Sequence, residues 1–76
     1  MILPTKHVAT GNSLIGVGAL LLSLLVHEQT VTRLWERARA ANEILTFPYF
    51  VLALDLLYTL DAIELTDGVL HRKAPS

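Results

Sequence analysis

The strongest constraint on the fold is an apolar run over residues 14–26. Within it, only Ser23 and the two glycines Gly16 and Gly18 are not strongly apolar. A helix needs about 20 residues to cross a bilayer, and this run is shorter. Polar residues bound it on both sides. A helix that is apolar on every side is normally covered on every side. We therefore expect a helix covered partly by its own domain and partly by another protein.

Composition strengthens the expectation of a partner. The chain has 76 residues, of which 53% are hydrophobic and 17% are charged, whereas about a quarter is usual for charged residues. One small domain cannot hide this much apolar material, so a large exposed patch is expected. The absence of cysteine excludes disulfides and thiolate-bound metal and favours the cytoplasm. The net charge of −1 creates no global attraction for nucleic acid or anionic lipid.

Hydrophobic periodicity and capping residues predict three helices. The predicted helices cover residues 14–26, 31–42 and 47–60. The second is conventionally amphipathic, with Arg33, Glu36 and Arg37 on its polar side. The third is apolar on both sides and is interrupted only by Asp55 and Thr59. The first and third helices thus carry more apolar residues than a small core needs.

The end of the chain predicts a β-hairpin over residues 62–73. Apolar and polar residues alternate there around Asp67 and Gly68, a pair typical of a tight two-residue turn. Residues 1–10 contain Pro4 and suit an extended arm or edge strand, which would add a third strand. Three helices followed by a hairpin predict a small α+β fold, a single winged helix-turn-helix domain over residues 1–76.

Catalytic chemistry is not evident in the sequence. The chain offers three histidines, no cysteine and scattered carboxylates, without a nucleophile or an acid–base pair in a recognisable arrangement. His7 and His71 would be neighbours if the arm paired with the hairpin, but no third metal ligand is placed beside them. We therefore expect a protein that is not an enzyme and that binds no metal or cofactor.

DNA recognition is only weakly indicated. A winged helix reads DNA with basic and amide side chains on its third helix, but here that helix carries Asp55 as its only charge. Basic residues form two small clusters elsewhere. The candidates for phosphate contact are Arg33, Arg37 and Arg39 on the second helix and Arg72 and Lys73 in the hairpin. Because Glu36 lies among the helical arginines, a solvated face is the alternative interpretation.

Several segments resemble a known family. Residues 1–7 (MILPTKH), 47–58 (FPYFVLALDLLY) and 62–65 (AIEL) are similar to the Middle Component 6 family of bacterial ABC-three-component systems, and Trp35-Glu36 and Asp67-Gly68 also fit. The resemblance spans nearly the whole chain. It implies a small winged-helix subunit encoded with an SMC-like or Rad50-like ABC ATPase and a larger effector, often a nuclease, in Lamassu-type anti-phage defence. The chemistry would then reside in those partners.

Two hypotheses of different classes follow. The first is a scaffold or regulatory subunit that is insoluble alone, with partner-facing positions among Leu14, Val17, Leu21, Tyr49, Leu52 and Leu56. The second is a DNA-binding regulator that is soluble, dimeric and strongly dependent on salt. A membrane-surface protein ranks last, because the first helix has no charged residue between positions 14 and 26.

Overall fold

A computed structural model describes residues 13–73 of the chain. These residues form three α-helices and three short β-strands, which confirms the small α+β class. The helices are α1 (Leu14–Leu24), α2 (Val31–Ala41) and α3 (Phe47–Thr59), and the strands are β1 (Gln29–Thr30), β2 (Ile63–Thr66) and β3 (Val69–Arg72). The strands form one antiparallel sheet in the order β1-β3-β2.

Each helix begins after a hydroxyl residue. The side-chain oxygen of this residue accepts a hydrogen bond from the backbone N–H three residues further on, which satisfies one of the free donors at the helix start. The three N-caps are Ser13, Thr30 and Thr46, and their oxygen–nitrogen distances are 2.9, 3.1 and 3.4 Å. The helix starts are therefore set by local sequence.

The first helix is shorter than predicted. The N–H of Leu25 is shared between two carbonyls of the preceding turn, at 3.1 and 3.2 Å, and the side-chain amide of Gln29 donates to the carbonyl of Leu24. The chain turns at this point, so that Leu25 enters the core while Val26 remains 72% exposed. The apolar run thus divides into a helix and a turn. The predicted second and third helices end at Ala41 and Thr59, each one residue early.

The third strand comes from an unexpected place. Gln29 and Thr30, directly before α2, pair with Leu70 and Val69 of β3. A two-residue strand is too short to show a periodicity, and the sequence predicted no strand between the first two helices. The predicted arm over residues 1–10, including His7, lies outside the described residues.

The hairpin is built as its sequence predicts. Asp67 and Gly68 have φ angles of 53° and 79°, the positive values that a tight two-residue hairpin turn requires. Ile63 and Leu70 are buried at 2% and 1% exposure, on the side of the sheet that faces the helices. The outward side carries Glu64, Thr66 and His71 together with the half-buried Val69, which pairs with Thr66. The hairpin therefore buries apolar residues on its inner side, and its outer side is mainly polar.

A left-handed residue joins α3 to the sheet. Asp61, just past the helix, has a φ of 61°. Its N–H donates to the carbonyl of Tyr58 at 2.9 Å, and the N–H of Ala62 donates to that of Leu57 at 2.8 Å. These two bonds close the helix in the arrangement that usually employs glycine, and aspartate is one of the few residues that tolerate it.

The core lies between the three helices and the inner side of the sheet. Helix α1 packs closely on α3, and a methyl group added at Gly18 would lie 3.5 Å from the side chain of Leu57. This is an ordinary contact distance, so the space between the two helices at Gly18 has room for a methyl group. The buried core residues are Val17, Leu21, Leu25, Leu34, Ala38, Leu45, Phe50, Ala53, Leu54, Leu57, Ile63 and Leu70.

Aromatic rings fix α2 against the start of α3. The ring of Trp35 lies edge-on to Phe47, with centroids 5.3 Å apart, and 5.2 Å from the ring of Phe50. Such contacts stabilise by about 0.5–1.5 kcal/mol beyond the area they bury. Because Phe50 is fully buried and Phe47 is half-exposed, the cluster runs from the core to the surface.

Candidate protein interface

The solvent-facing side of α3 is largely apolar, with Asp55 and Thr59 as its polar residues. The buried side consists of Phe50, Ala53, Leu54 and Leu57, which are spaced by three and four residues. The opposite side, which we call the α3 outer face, carries Val51, Leu52, Asp55 and Tyr58. Its three apolar members are 37%, 52% and 44% exposed. A surface helix of an independent domain normally presents polar residues there.

Asp55 is the one charged residue of α3. Its position follows Leu52 and precedes Tyr58 on the same side of the helix. Among residues 13–73, no basic side chain lies within ion-pair distance of its carboxylate. Thr59 does not contact this carboxylate either, because its hydroxyl donates to the backbone carbonyl of Asp55 at 2.8 Å. Asp55 is thus exposed and forms no ion pair within residues 13–73.

A cleft adjoins the start of α3. Its volume is about 320 Å³, and its lining residues are Val17, Asn42, Ile44, Leu45, Thr46 and Tyr49. The turn between α2 and α3 shapes it: the N–H of Leu45 donates to the carbonyl of Asn42 at 3.1 Å, and the N–H of Ile44 to its side-chain oxygen at 3.3 Å. This turn buries Leu45 and leaves Ile44 67% exposed. The cleft thus has a buried apolar floor and an exposed apolar rim.

The structure separates the predicted partner-facing residues into two groups. Leu52 is exposed, and three others are half-buried: Leu14, Tyr49 and Leu56. Val17 and Leu21 are 0% exposed and belong to the core, and Val17 also lines the cleft. Periodicity alone cannot distinguish the two sides of a helix that is apolar all round.

Several exposed apolar residues were not among the predicted partner-facing residues. Val51 and Tyr58 lie on the α3 outer face beside Leu52, and Ile44 on the cleft rim. Ile15 of α1 is 77% exposed. Val51 lies four residues before Asp55, and Tyr58 lies three residues after it. Because residues three and four apart share a helix side, this spacing could have placed both residues beside Asp55.

The basic residues do not form one patch. Arg33 and Arg37 lie one turn apart on the exposed side of α2, while Arg39 is rotated by about 200° from Arg37. Arg72 is exposed at the end of β3. Among the described residues, none of these four guanidinium groups pairs with a carboxylate.

Lys73 is occupied by neighbouring carboxylates. Its ammonium group lies 2.7 Å from Asp61 Oδ1 and 3.8 Å from Glu64 Oε2. The hydrogen bond to Asp61 and the charges of both carboxylates raise the pKa of Lys73 above 10.5, against an opposing desolvation. A lysine already paired in this way is a poor phosphate ligand, so the structure weakens the prediction for this residue.

The outer side of the hairpin also contains His71. Its Nε2 atom lies 3.4 Å from Glu64 Oε1 and 3.2 Å from Thr66 Oγ1. Across residues 13–73, no group of three or more histidine, aspartate or glutamate side chains is arranged to hold a metal ion. No helix in the same part of the chain has the length and apolar character needed to span a bilayer.

Comparison with known proteins identifies the family. The chain has no significant match among curated proteins or among solved structures. Residues 3–73, by contrast, match the family described as ABC-three component (ABC-3C) system Middle Component 6. The match covers almost the entire chain, including α3 and the hairpin. The protein therefore belongs to the Middle Component 6 family of ABC-three-component systems.

Proposed function

We propose that this chain is a non-catalytic accessory subunit that bridges or regulates an SMC/Rad50-like ABC ATPase and a nuclease-type effector in Lamassu-type anti-phage defence. Family membership supports a role beside the other components of one system. The α3 outer face is the observation that carries the proposal, because exposed apolar residues on so small a chain are typical of a surface that another protein covers. The cysteine-free sequence suits a complex in the cytoplasm.

We also propose that the fold is a winged helix. The order of elements supports this, because a strand lies between the first two helices and pairs with the last strand of a C-terminal hairpin. In a DNA-reading winged helix, α3 would enter the major groove with polar side chains. Here it would present Val51, Leu52 and Tyr58 around a negative charge, which disfavours contact with phosphate. The same helix is suited to contact protein.

A DNA-binding regulator is the second candidate. It is favoured by Arg33 and Arg37, which lie exposed and unpaired with any described carboxylate on one side of α2. Two arginines would supply only a few phosphate contacts, so affinity should be modest and steeply dependent on salt. This role is compatible with an auxiliary DNA contact inside a larger assembly.

Co-expression tests the proposal. The chain is produced alone and together with the ATPase and effector components of its system, and both preparations are compared by size-exclusion chromatography. We expect self-association of the isolated chain and co-elution with the other components. A soluble dimer that shifts duplex DNA, with binding lost in an Arg33→Ala/Arg37→Ala variant, would instead establish the regulator.

The non-catalytic role requires a separate readout. Cells carrying the system are challenged with phage after deletion of this component, and nuclease activity is measured on the purified assembly. We expect protection to require the chain, whereas nuclease activity is lost only on inactivation of the effector. Nuclease or ATPase activity of the chain by itself would refute a purely accessory role.

A further inference from the structure

We propose that the α3 outer face, together with the adjoining cleft, receives an amphipathic helix of another protein of the same system, and that this helix contributes an arginine or lysine that pairs with Asp55. This inference rests on the proposed function and names the surface that would perform it. The occupant is defined by its chemistry: apolar anchors at helical spacing and one cation placed beside them.

The first support is that the core does not use the α3 outer face. The core takes the side of the helix that contains Phe50 and Leu57, which are 0% and 3% exposed. Leu52, on the other side, keeps about half of its surface in water. A helix with two apolar sides in a folded chain indicates a second packing surface. A partner helix would cover such a side with apolar residues spaced by three, four and seven positions.

The second support is the shape of the adjoining surface. Tyr49 lines the cleft, and Leu52 and Leu56 follow it on the same side of α3 at one and two turns. The half-buried side chains of Tyr49 and Leu56 thus connect the cleft with the exposed part of the helix. A cleft of about 320 Å³ has room for a large apolar side chain, and Ile44 forms its exposed rim. One partner helix lying along α3 would place an anchor residue in this cleft.

The third support is the charge of Asp55. A partner that covered the α3 outer face with apolar atoms alone would remove water from an unpaired carboxylate, which is strongly unfavourable. No basic residue within 13–73 is close enough to neutralise it, so a cation supplied by the partner would compensate for the loss of water. An arginine suits this position best, since it donates two parallel hydrogen bonds to a carboxylate.

The same charge disfavours two other occupants. Nucleic acid would bring phosphates towards Asp55, with no positive side chain on α3 to offset the repulsion. A second copy related by two-fold symmetry through the middle of α3 would bring two Asp55 carboxylates together. Like charges facing each other across an interface are unfavourable. A helix of opposite charge from another component has neither problem.

The experiment compares two variants with two matched controls in the co-expressed system. Leu52→Glu and Asp55→Arg alter the α3 outer face. Leu65→Glu alters a leucine of similar exposure, 46%, in the hairpin, and Glu36→Arg reverses an exposed charge on α2. Binding is measured by size-exclusion chromatography and by titration of each fluorescently labelled variant with the purified partner. Proteolytic resistance of each variant, as a fusion to a soluble carrier, shows whether it folds.

We expect both α3 variants to lose at least about tenfold in affinity while the two controls bind as the wild-type chain does. Each arginine and lysine of the partner is then changed to Glu individually, and the binding of each partner variant to the Asp55→Arg chain is measured. One of these changes should restore binding, because it reverses both charges of the proposed pair. Restoration by one position only also identifies the partner helix.

The remaining outcomes overturn the inference in distinguishable ways. If the wild-type chain co-elutes with no component of its system, the proposed function fails and the inference falls with it. If both α3 variants still co-elute, the proposed function stands and this surface is wrong. Loss with Leu52→Glu but undiminished binding of Asp55→Arg refutes the paired cation. A wild-type dimer that Leu52→Glu dissociates assigns the face to a second copy, and a DNA shift that it abolishes assigns it to nucleic acid.

Discussion

The β2–β3 hairpin and helix α3 differ in the composition of their two faces. In the hairpin, Ile63 and Leu70 point inward and are buried, whereas Glu64 and His71 point outward and are polar. In α3, Phe50 is buried inward, but the outer face is largely apolar and contains a single charge. Packing within the described residues therefore explains the composition of both faces of the hairpin, but of only one face of α3. For the other face of α3, we propose that a partner covers it.

The largest expected effect separates the two sides of α3. Phe50→Ala should destabilise the fold by about 3–5 kcal/mol, because it removes a fully buried ring that also contacts Trp35. Leu52→Ala, on the outer face, should change the stability by no more than about 0.5 kcal/mol. Urea unfolding with pulse proteolysis of a carrier fusion measures both at low concentration. Equal losses would mean that the outer face supports the single chain after all.

This difference between the faces also explains what the sequence could predict. Hydroxyl caps and the Asp67-Gly68 turn are local signals, and they placed the helix starts and the hairpin correctly. The third strand at Gln29 could not be predicted, because pairing with β3 is a long-range contact of only two residues. The apolar composition correctly indicated an exposed surface.

Individual interface residues were harder to assign. Val17 and Leu52 have similar apolar neighbours in sequence, yet one is fully buried and the other is half-exposed. The distinction depends on how α1 packs against α3, which is a tertiary property. Only α2, where Arg33 and Arg37 mark the solvent side, revealed its orientation from sequence.

The second prediction concerns the hairpin turn. Gly68→Ala should destabilise the chain by about 1–2 kcal/mol, because the backbone at Gly68 has a φ of +79° that residues with a Cβ atom rarely adopt. No heavy atom lies within 4 Å of the added methyl group, so the loss would be conformational rather than steric. The same urea assay measures it. An unchanged midpoint would show that the hairpin does not contribute to the cooperative unfolding of the helices.

The third prediction tests the packing behind α3. Gly18→Ala should stabilise the chain by up to about 1 kcal/mol, because alanine has the higher helix propensity. Its methyl group would meet the side chain of Leu57 at 3.5 Å, an ordinary contact distance. Gly68→Ala is the matched control, since the same substitution has the opposite sign there. A loss of stability in Gly18→Ala would indicate that α1 and α3 are too close to accept a methyl group.

The smallest expected effect concerns the charged contact at the base of the hairpin. The hydrogen bond from Lys73 to Asp61 is the main reason that the pKa of Lys73 is raised above 10.5. Since this pKa is higher in the folded chain, the contribution of Lys73 to stability is fully present below about pH 10.5 and disappears as the pH rises through the folded pKa. Asp61→Asn should lower the pKa of Lys73, while it retains a residue that tolerates the positive φ of 61°.

Two measurements connect this prediction with the comparison of the faces. An NMR titration of the Lys73 ammonium group should give a lower pKa in Asp61→Asn than in the wild-type chain, and Asp55→Asn should leave it unchanged. The stability difference between wild type and Asp61→Asn should be constant between about pH 8 and 10 and should diminish at higher pH. The pairing of Asp61 within the chain contrasts with Asp55, which pairs with no described cation. If Asp55→Asn alters stability as strongly as Asp61→Asn, Asp55 already has a role in the isolated fold, and the need for a cation from a partner is removed.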